Sequence, residues 1–252
     1  MALHSIPFGL DSQEISRRFE EAGVSYKVHV KDGVAYAESG NANGPILFFI
    51  HGSPGSWDNF IAFMTDQKLV EKYRIISVSR PGYGSTIPHS PTPFLEKQAS
   101  VLSKVIPDNQ KATLVGHSMG APIAVRLAMD HPEKVKRLIL LSGALDPKLE
   151  EVKWYQKMAE WSLITWMLPD ILVVCNRELI PLRGELLKMM PLWETLKIPV
   201  TAIHGLEDQL VPIENMKFLE KNVSGRQLNI IRLPDANHFI PWTHVEDILK
   251  VL

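Results

Sequence analysis

Short apolar runs, most of them separated by segments with helical spacing, are the feature that most constrains the fold of this chain. Four such runs are PILFFIHG, RIISVSRPGYG, KATLVGHS and VKRLILLSG, and two more are PVTAIHG and QLNIIRL. Strands that are buried on both faces have this solid apolar character. The alternation predicts an α/β fold with a mostly parallel sheet, right-handed crossovers and helices on both faces.

Two other segments frame this repeating core. Near the start, Ser12 is a candidate helix cap, Gly23 fits the end of that helix, and residues 31–33 (KDG) predict a hairpin at one edge of the sheet. Roughly residues 146–195 carry no convincing strand and are rich in Trp and Met. We interpret this stretch as a helical insertion between the fourth and fifth buried strands.

Bulk properties exclude several classes of protein. The chain has 252 residues, 45% of them apolar, and we treat residues 1–252 as a single domain that needs no disulfide or metal to fold. A net charge of -1 gives no reason to expect nucleic acid or an anionic membrane as a partner. Cys175 is the only cysteine, and the sequence contains neither a secretory signal nor an apolar stretch of about 18 residues. These features predict a cytoplasmic protein.

The motif GHSMG places Ser118 between a strand pattern and a helix pattern. G-x-S-x-G in this context predicts a sharp turn that holds the serine hydroxyl above the edge of the sheet. Gly116 and Gly120 would remove side chains that collide with the neighbouring strand and helix. Ser118 is therefore the candidate nucleophile, and it needs a base and a group that orients this base.

His238 is the candidate base among nine histidines. It follows the last strand pattern in a short loop, DANHF, which puts it at the same edge of the sheet as Ser118. The other histidines considered have less suitable positions: His244 within a helix, His117 beside the nucleophile, and His131 and His204 at the ends of elements.

Asp208 is the candidate acid. It lies in GLEDQLVP, after the fifth buried strand and before a helix that we expect to begin near Pro212. Glu207 has the right residue type and stays open, and Asp146, after the fourth strand, is a competitor. Asp235 is too close in sequence to His238 for easy geometry.

Five motifs together resemble the α/β-hydrolase superfamily over nearly the whole chain. They are HGSPGS, RPGYGST, GHSMG, GLEDQLVP and ANHF, each after a buried strand. The resemblance implies that the backbone N–H groups of Ser53 and Met119 form an oxyanion hole. It also implies that RPGYG is a structural turn, where Ser79 stands near a position at which the family often has Asp. Members that open epoxides or remove halide usually carry Asp in place of Ser118, so both reactions are disfavoured.

The resemblance further implies that residues 146–195 form a small helical cap over the active site. Trp154, Met158 and Trp161 share one helical face, and with His51 they are the candidate lining of the substrate pocket. Packing of this face against the main domain is the simpler interpretation, and the two roles can coexist on opposite faces.

The predicted activity is that of a carboxylesterase-like serine hydrolase acting on a small or medium apolar ester through an acyl-enzyme intermediate. No metal or organic cofactor is implied. Thioester, amide, lactone and carbon–carbon bond hydrolysis use the same residues and stay open. A small-molecule receptor with little turnover is the alternative from a different class, and a non-enzymatic interaction protein is a third.

Overall fold

The computed structural model describes residues 9–86, 92–152, 154–158, 161, 166, 168–225 and 227–252. Within these residues, eight strands form one sheet in the order β1-β2-β4-β3-β5-β6-β7-β8. The strands are β1 (Tyr26–Lys31), β2 (Val34–Gly40), β3 (Ile46–Ile50), β4 (Arg74–Val78), β5 (Ala112–His117), β6 (Val135–Leu141), β7 (Val200–Gly205) and β8 (Leu228–Leu233).

All six predicted apolar runs form strands, and they are parallel to one another. β3 pairs with β4 and β5, and the parallel ladder continues through β6 and β7 to β8. The predicted hairpin is antiparallel and extends the sheet at the β4 edge. The α/β-hydrolase fold expected from the sequence is confirmed.

Helices cover the sheet and follow the predicted order. The α-helices are α1 (Ser12–Ala22), α2 (Ile61–Met64), α3 (Gln67–Lys72), α4 (Leu95–Ser103), α5 (Gly120–Asp130), α6 (Trp154–Met158), α7 (Asp170–Met189), α8 (Asn215–Asn222), α9 (Ile240–Thr243) and α10 (Val245–Leu249). None of the helices in the described part of the chain is long and apolar enough to cross a lipid bilayer.

Local details differ from the sequence prediction at both ends of the chain. Asp11, not Ser12, caps α1: its backbone is extended and its carboxylate accepts the Glu14 N–H at 2.8 Å. A carboxylate is as good a cap as a hydroxyl, so the sequence alone does not separate the two residues. The predicted final helix divides into α9 and α10 at His244.

The core lies on both faces of the sheet, and β3 shows why. All five of its residues are buried. Because successive side chains of a strand point to opposite faces, Ile46, Phe48 and Ile50 join one apolar cluster while Leu47 and Phe49 join the other. Burial on both faces makes the central strands rigid supports for the loops at their ends.

The inserted segment, residues 146–195, lies between β6 and β7. Its described residues form α6, α7 and a 3-10 helix at Met190–Thr195, with no strand among them. Residues 153, 159–160, 162–165 and 167 of this segment lie outside the described part. α7 continues through Pro181, although proline removes a backbone hydrogen bond. Buried Glu178, Leu182 and Leu186 anchor the helix on both sides of the proline.

Candidate active site

Four loops that carry predicted site residues meet at one edge of the sheet. Ser53 follows β3, Ser118 follows β5, Asp208 follows β7 and His238 follows β8. These strands are parallel, so their carboxyl ends share an edge, which is where α/β sheets bind ligands. The fold therefore brings together residues that are up to 185 positions apart, from Ser53 to His238.

Ser118 sits on a tight and strained turn. Its φ is +52°, a left-handed value that is uncommon for a residue with a side chain, and its amide donates to the Leu141 carbonyl at 2.9 Å. A Cβ atom at Gly120 would collide with the Ile50 carbonyl, and one at Gly116 would collide with the first turn of α5. The two glycines therefore permit the close approach of helix and strands that holds the serine in this turn.

His238 and Asp208 form a hydrogen-bonded pair. His238 Nδ1 donates to Asp208 Oδ2 at 2.8 Å. Asp208 Oδ1 accepts the amides of Leu210 at 2.9 Å and Val211 at 2.8 Å. The carboxylate is fully buried and fixes the ring with its Nδ1 protonated.

The surroundings of Asp208 keep it ionised. Burial of its carboxyl raises the pKa, but the hydrogen bond and charge of His238, together with the Val211 and Leu210 amides, lower the pKa more, so the net shift is downward. An ionised Asp208 can stabilise a positive charge that develops on His238 during proton transfer.

A cavity of about 420 Å³ opens beside these residues, and Ser118 and His238 both line it. Among the described residues, the Ser118 hydroxyl and the His238 ring make no hydrogen bond to each other. In enzymes without bound substrate this contact is often long and tightens only during the reaction. The other described lining residues are Ser53, Met119, Ala144, Leu149, Glu150, Glu151, Gln156, Leu179, Leu182, Gln209, Leu210, Val211 and Pro212.

The amides predicted to form an oxyanion hole also belong to this cavity. Ser53 and Met119 both line it next to Ser118. Within the described residues, neither backbone N–H donates a hydrogen bond to another group of the protein. The two donors are therefore available to an atom bound beside Ser118.

The four side chains predicted to line the pocket do not join this cavity in the described part of the chain. His51 is completely buried, with Nε2 accepting the Arg80 amide at 2.9 Å. Trp154 is 72% exposed, Trp161 is 64% exposed and Met158 is 36% exposed. The inserted segment instead contributes Leu149, Glu150, Glu151, Gln156, Leu179 and Leu182 to the cavity.

The competing histidines have structural partners. His117 Nε2 donates to the His238 carbonyl at 3.0 Å, and burial, followed by the charge of His238, lowers the His117 pKa to about 3. His204 Nε2 donates to the Val211 carbonyl at 2.9 Å and lies 3.4 Å from Asp208 Oδ2, and burial lowers its pKa too. Both rings are neutral and support the loops around the His238–Asp208 pair.

The competing acids have other surroundings than Asp208. Asp146 Oδ1 accepts the Lys148 amide at 2.9 Å, and Glu207 is exposed on the surface. Neither makes a hydrogen bond to His238 among the described residues. In the same part of the chain, no cluster of three or more His, Cys, Asp or Glu side chains could hold a metal ion.

Sequence reasoning missed Glu178. This residue of α7 is fully buried and accepts hydrogen bonds from Ser53, Arg80, Tyr83 and Gln98. RPGYG indicated a turn at Arg80, but no local pattern distinguishes Glu178 from the other acidic residues of the segment.

Comparisons with known proteins agree with the fold. A family model for the alpha/beta hydrolase fold matches residues 45–166. The chain is 26% identical to 2-hydroxymuconate semialdehyde hydrolase of Pseudomonas sp. (strain CF600) over 275 residues, which covers 94% of this chain and 90% of that protein. A putative lipase from Acinetobacter baumannii AYE shares its fold with a TM-score of 0.69 and 18% identity, covering 98% of both chains.

A further relative matches only in part. The chain is 33% identical over 127 residues to the dihydrolipoyllysine-residue acetyltransferase component of the acetoin cleaving system of Cupriavidus necator, which is 49% of this chain. The match spans only 33% of that relative's own length. Together the comparisons support an enzyme of this fold that is a hydrolase, and they do not identify its substrate.

Proposed function

We propose that this chain, which belongs to the α/β-hydrolase superfamily, is a serine hydrolase that cleaves small or medium carboxylic esters. The observation that carries the proposal is the 2.8 Å hydrogen bond between His238 and a buried Asp208, at a cavity that Ser118 also lines. A protonated Nδ1 leaves His238 Nε2 as the basic nitrogen of the ring.

The first half of the reaction forms an ester with the protein. Ser118 Oγ attacks the carbonyl carbon while His238 Nε2 takes the hydroxyl proton, and the carbonyl oxygen becomes an oxyanion. The amides of Ser53 and Met119 donate to this oxygen, and Asp208 stabilises the positive charge of His238. The tetrahedral intermediate then collapses, the bond to the alcohol breaks, and His238 returns the proton to the leaving oxygen.

The second half of the reaction repeats these roles with water. His238 removes a proton from water as its oxygen attacks the acyl carbon, and the same two amides hold the second oxyanion. Collapse releases the carboxylic acid and returns the proton to Ser118. The cycle consumes one water and needs no cofactor.

The cavity lining supports an uncharged substrate with an apolar part. Apolar residues, from Met119 and Ala144 through leucines of the inserted segment to Val211 and Pro212, alternate in it with polar residues such as Gln156 and Gln209. Glu150 and Glu151 are the acidic residues of the described lining, and they disfavour an anionic substrate. We further propose that the inserted segment acts as a cap, supported by its share of this lining. A cytoplasmic location stays a prediction.

Hydrolysis of a carbon–carbon bond by the same residues is the second candidate. It is favoured by the whole-length resemblance to a hydrolase named for 2-hydroxymuconate semialdehyde. This compound therefore belongs in the substrate panel beside p-nitrophenyl esters of increasing acyl length, a thioester and an amide.

A fluorophosphonate probe with intact-mass detection tests the nucleophile. The protein should gain one adduct, Ser118→Ala should gain none, and Ser100→Ala, which changes an exposed serine of α4, should react like the unchanged protein. Ser118→Ala and His238→Ala should each lower kcat for the best ester by about 10³-fold or more. Labelling that survives Ser118→Ala would refute the assignment, and saturable binding without turnover of any panel compound would favour a receptor.

A further inference from the structure

A buried ion pair connects the inserted segment to the turn after β4. Arg80 Nη1 lies 2.8 Å from Glu178 Oε1, and both side chains are completely shielded from solvent. Burying two charges carries a large desolvation penalty, so a pair of this kind adds little net stability compared with apolar side chains of similar volume. The other contacts of Arg80 and Glu178 point to a role besides stability.

The Arg80 side chain is hydrogen-bonded to His51 and Gly52, the two residues that precede Ser53. Its Nε donates to the His51 carbonyl at 2.9 Å, and its Nη2 donates to the Gly52 carbonyl at 2.9 Å. Its backbone amide donates to His51 Nε2 at 2.9 Å, and His51 Nδ1 in turn donates to the Gly52 carbonyl at 2.7 Å. Two cooperating donors thus hold the Gly52 oxygen.

The Gly52 oxygen and the Ser53 N–H belong to the same peptide group. In a planar trans peptide these two groups point in opposite directions, so fixing the oxygen fixes the direction of the N–H. Arg80 and His51 hold the oxygen on the buried side, while Ser53 lines the cavity on the other. The positive guanidinium also polarises the carbonyl, which makes the attached N–H a stronger donor.

The Glu178 carboxylate accepts hydrogen bonds from Arg80 and from Ser53, the residue that follows Gly52. Its carboxylate accepts Arg80 Nη1 and Nη2, at 2.8 and 3.1 Å, and the Ser53 hydroxyl at 2.9 Å. Tyr83 and Gln98 donate to the same carboxylate at 2.8 and 3.0 Å. Since Glu178 lies on α7, the inserted segment is hydrogen-bonded directly to the loop that contains Ser53.

We propose that Arg80 and Glu178 are positioning residues that fix the Gly52–Ser53 peptide with its N–H directed at the substrate oxygen. The inference rests on the serine hydrolase function proposed above and adds that α7 takes part in catalysis through Glu178, a residue that does not line the cavity. How well the Ser53 amide stabilises the oxyanion then depends on how the inserted segment packs against the loop that contains Ser53.

Glu178→Gln is the first test, because it keeps the size of the side chain and removes its charge. We expect kcat for the best p-nitrophenyl ester to fall about tenfold or more, with KM changed less than about threefold, because the Ser53 amide matters most in the transition state. Binding of a trifluoromethyl ketone analogue of that ester should weaken by the same factor as kcat/KM. Glu185→Gln is the matched control: Glu185 is buried on the same helix, but it contacts Leu95 and Lys188, so its loss should leave both quantities unchanged.

A double variant separates positioning from stability. Arg80→Met with Glu178→Leu replaces the pair by apolar side chains, a change that is often neutral or stabilising in buried sites. If urea unfolding shows that stability is retained, a lowered kcat supports the proposal. A retained kcat in either folded variant overturns it.

A crystal structure of the double variant gives a readout that does not depend on activity. A Gly52–Ser53 peptide that has rotated away from the cavity supports the proposal, and an unrotated peptide overturns it. If the unchanged protein neither reacts with the probe nor hydrolyses any panel compound, the proposed function has failed, and the peptide orientation still decides whether Arg80 and Glu178 hold the loop.

Discussion

The loops at the carboxyl edge of the sheet and the outer side of the inserted segment differ in how far their side chains are buried. At the edge, the side chains of His238, Asp208, His117 and His51 are buried and hydrogen-bonded. On the inserted segment, Trp154 and Trp161 are mostly exposed. Chemistry that needs angstrom precision is therefore expected at the edge and at Glu178, which supports it from the buried face of α7, while Leu179 and Leu182 give the cavity its shape.

The largest effect is expected from disrupting the His238–Asp208 pair at the edge of the sheet. Asp208→Asn keeps the size of the side chain but favours the wrong tautomer of His238, so kcat should fall by about 10⁴-fold with little change in KM. Asp235→Asn is the control, since Asp235 is exposed and faces His244. Steady-state kinetics with one ester measures both, and a loss of less than tenfold for Asp208→Asn would remove Asp208 from the mechanism.

Low pH should lower the free energy of unfolding through buried His117. The pKa of His117 is about 3 in the folded protein because of burial and the charge of His238, while an unfolded histidine titrates near 6.5. The unfolded state therefore binds the extra proton first, and the stability that neutral His117 contributes is present above pH 6.5 and is lost as pH falls toward 3. The expected loss is about 1.4 kcal/mol per pH unit for this residue.

Urea unfolding of the unchanged protein and of His117→Gln between pH 4 and 7 measures this loss. The variant should show a shallower dependence of the unfolding free energy on pH. His29→Gln, on the outer strand β1, is the control and should keep the steeper dependence. Equal slopes for all three proteins would contradict the assignment.

The smallest effects distinguish the two sides of the inserted segment. Leu179→Phe narrows the cavity, so kcat/KM for an octanoyl ester should fall about tenfold relative to the acetyl ester. Trp154→Ala, on an exposed position, should change that ratio less than twofold. An equal response of the two variants would mean that the outer aromatic side chains also shape the pocket.

The strands and the loops that follow them could be predicted from the sequence because their signals are local. Solid apolar runs predicted β3 to β8, and Ser118, Asp208 and His238 each follow one of these runs directly. A short loop after a parallel strand has little freedom, so its position in the sequence nearly fixes its position at the edge of the sheet.

The pocket lining and Glu178 could not be predicted, because they depend on how α6 and α7 pack against distant parts of the chain. Helical spacing places Trp154, Met158 and Trp161 on one face, but it does not say which way that face turns. Large aromatic side chains are more often buried than exposed, so the sequence favoured burial of this face, whereas Trp154 and Trp161 are mostly exposed. Glu178 is separated from Arg80 by 98 positions, and no local pattern records that contact.

The left-handed backbone of Ser118 implies that this protein is not as stable as its fold permits. A glycine would adopt φ +52° without steric conflict, so replacement of Ser118 by glycine should relieve on the order of 1 kcal/mol of conformational energy while removing the hydroxyl. Selection that acted on thermal robustness alone would be expected to replace this residue. Because the hydroxyl at this left-handed position is the proposed nucleophile, activity and stability make opposite demands on this one residue.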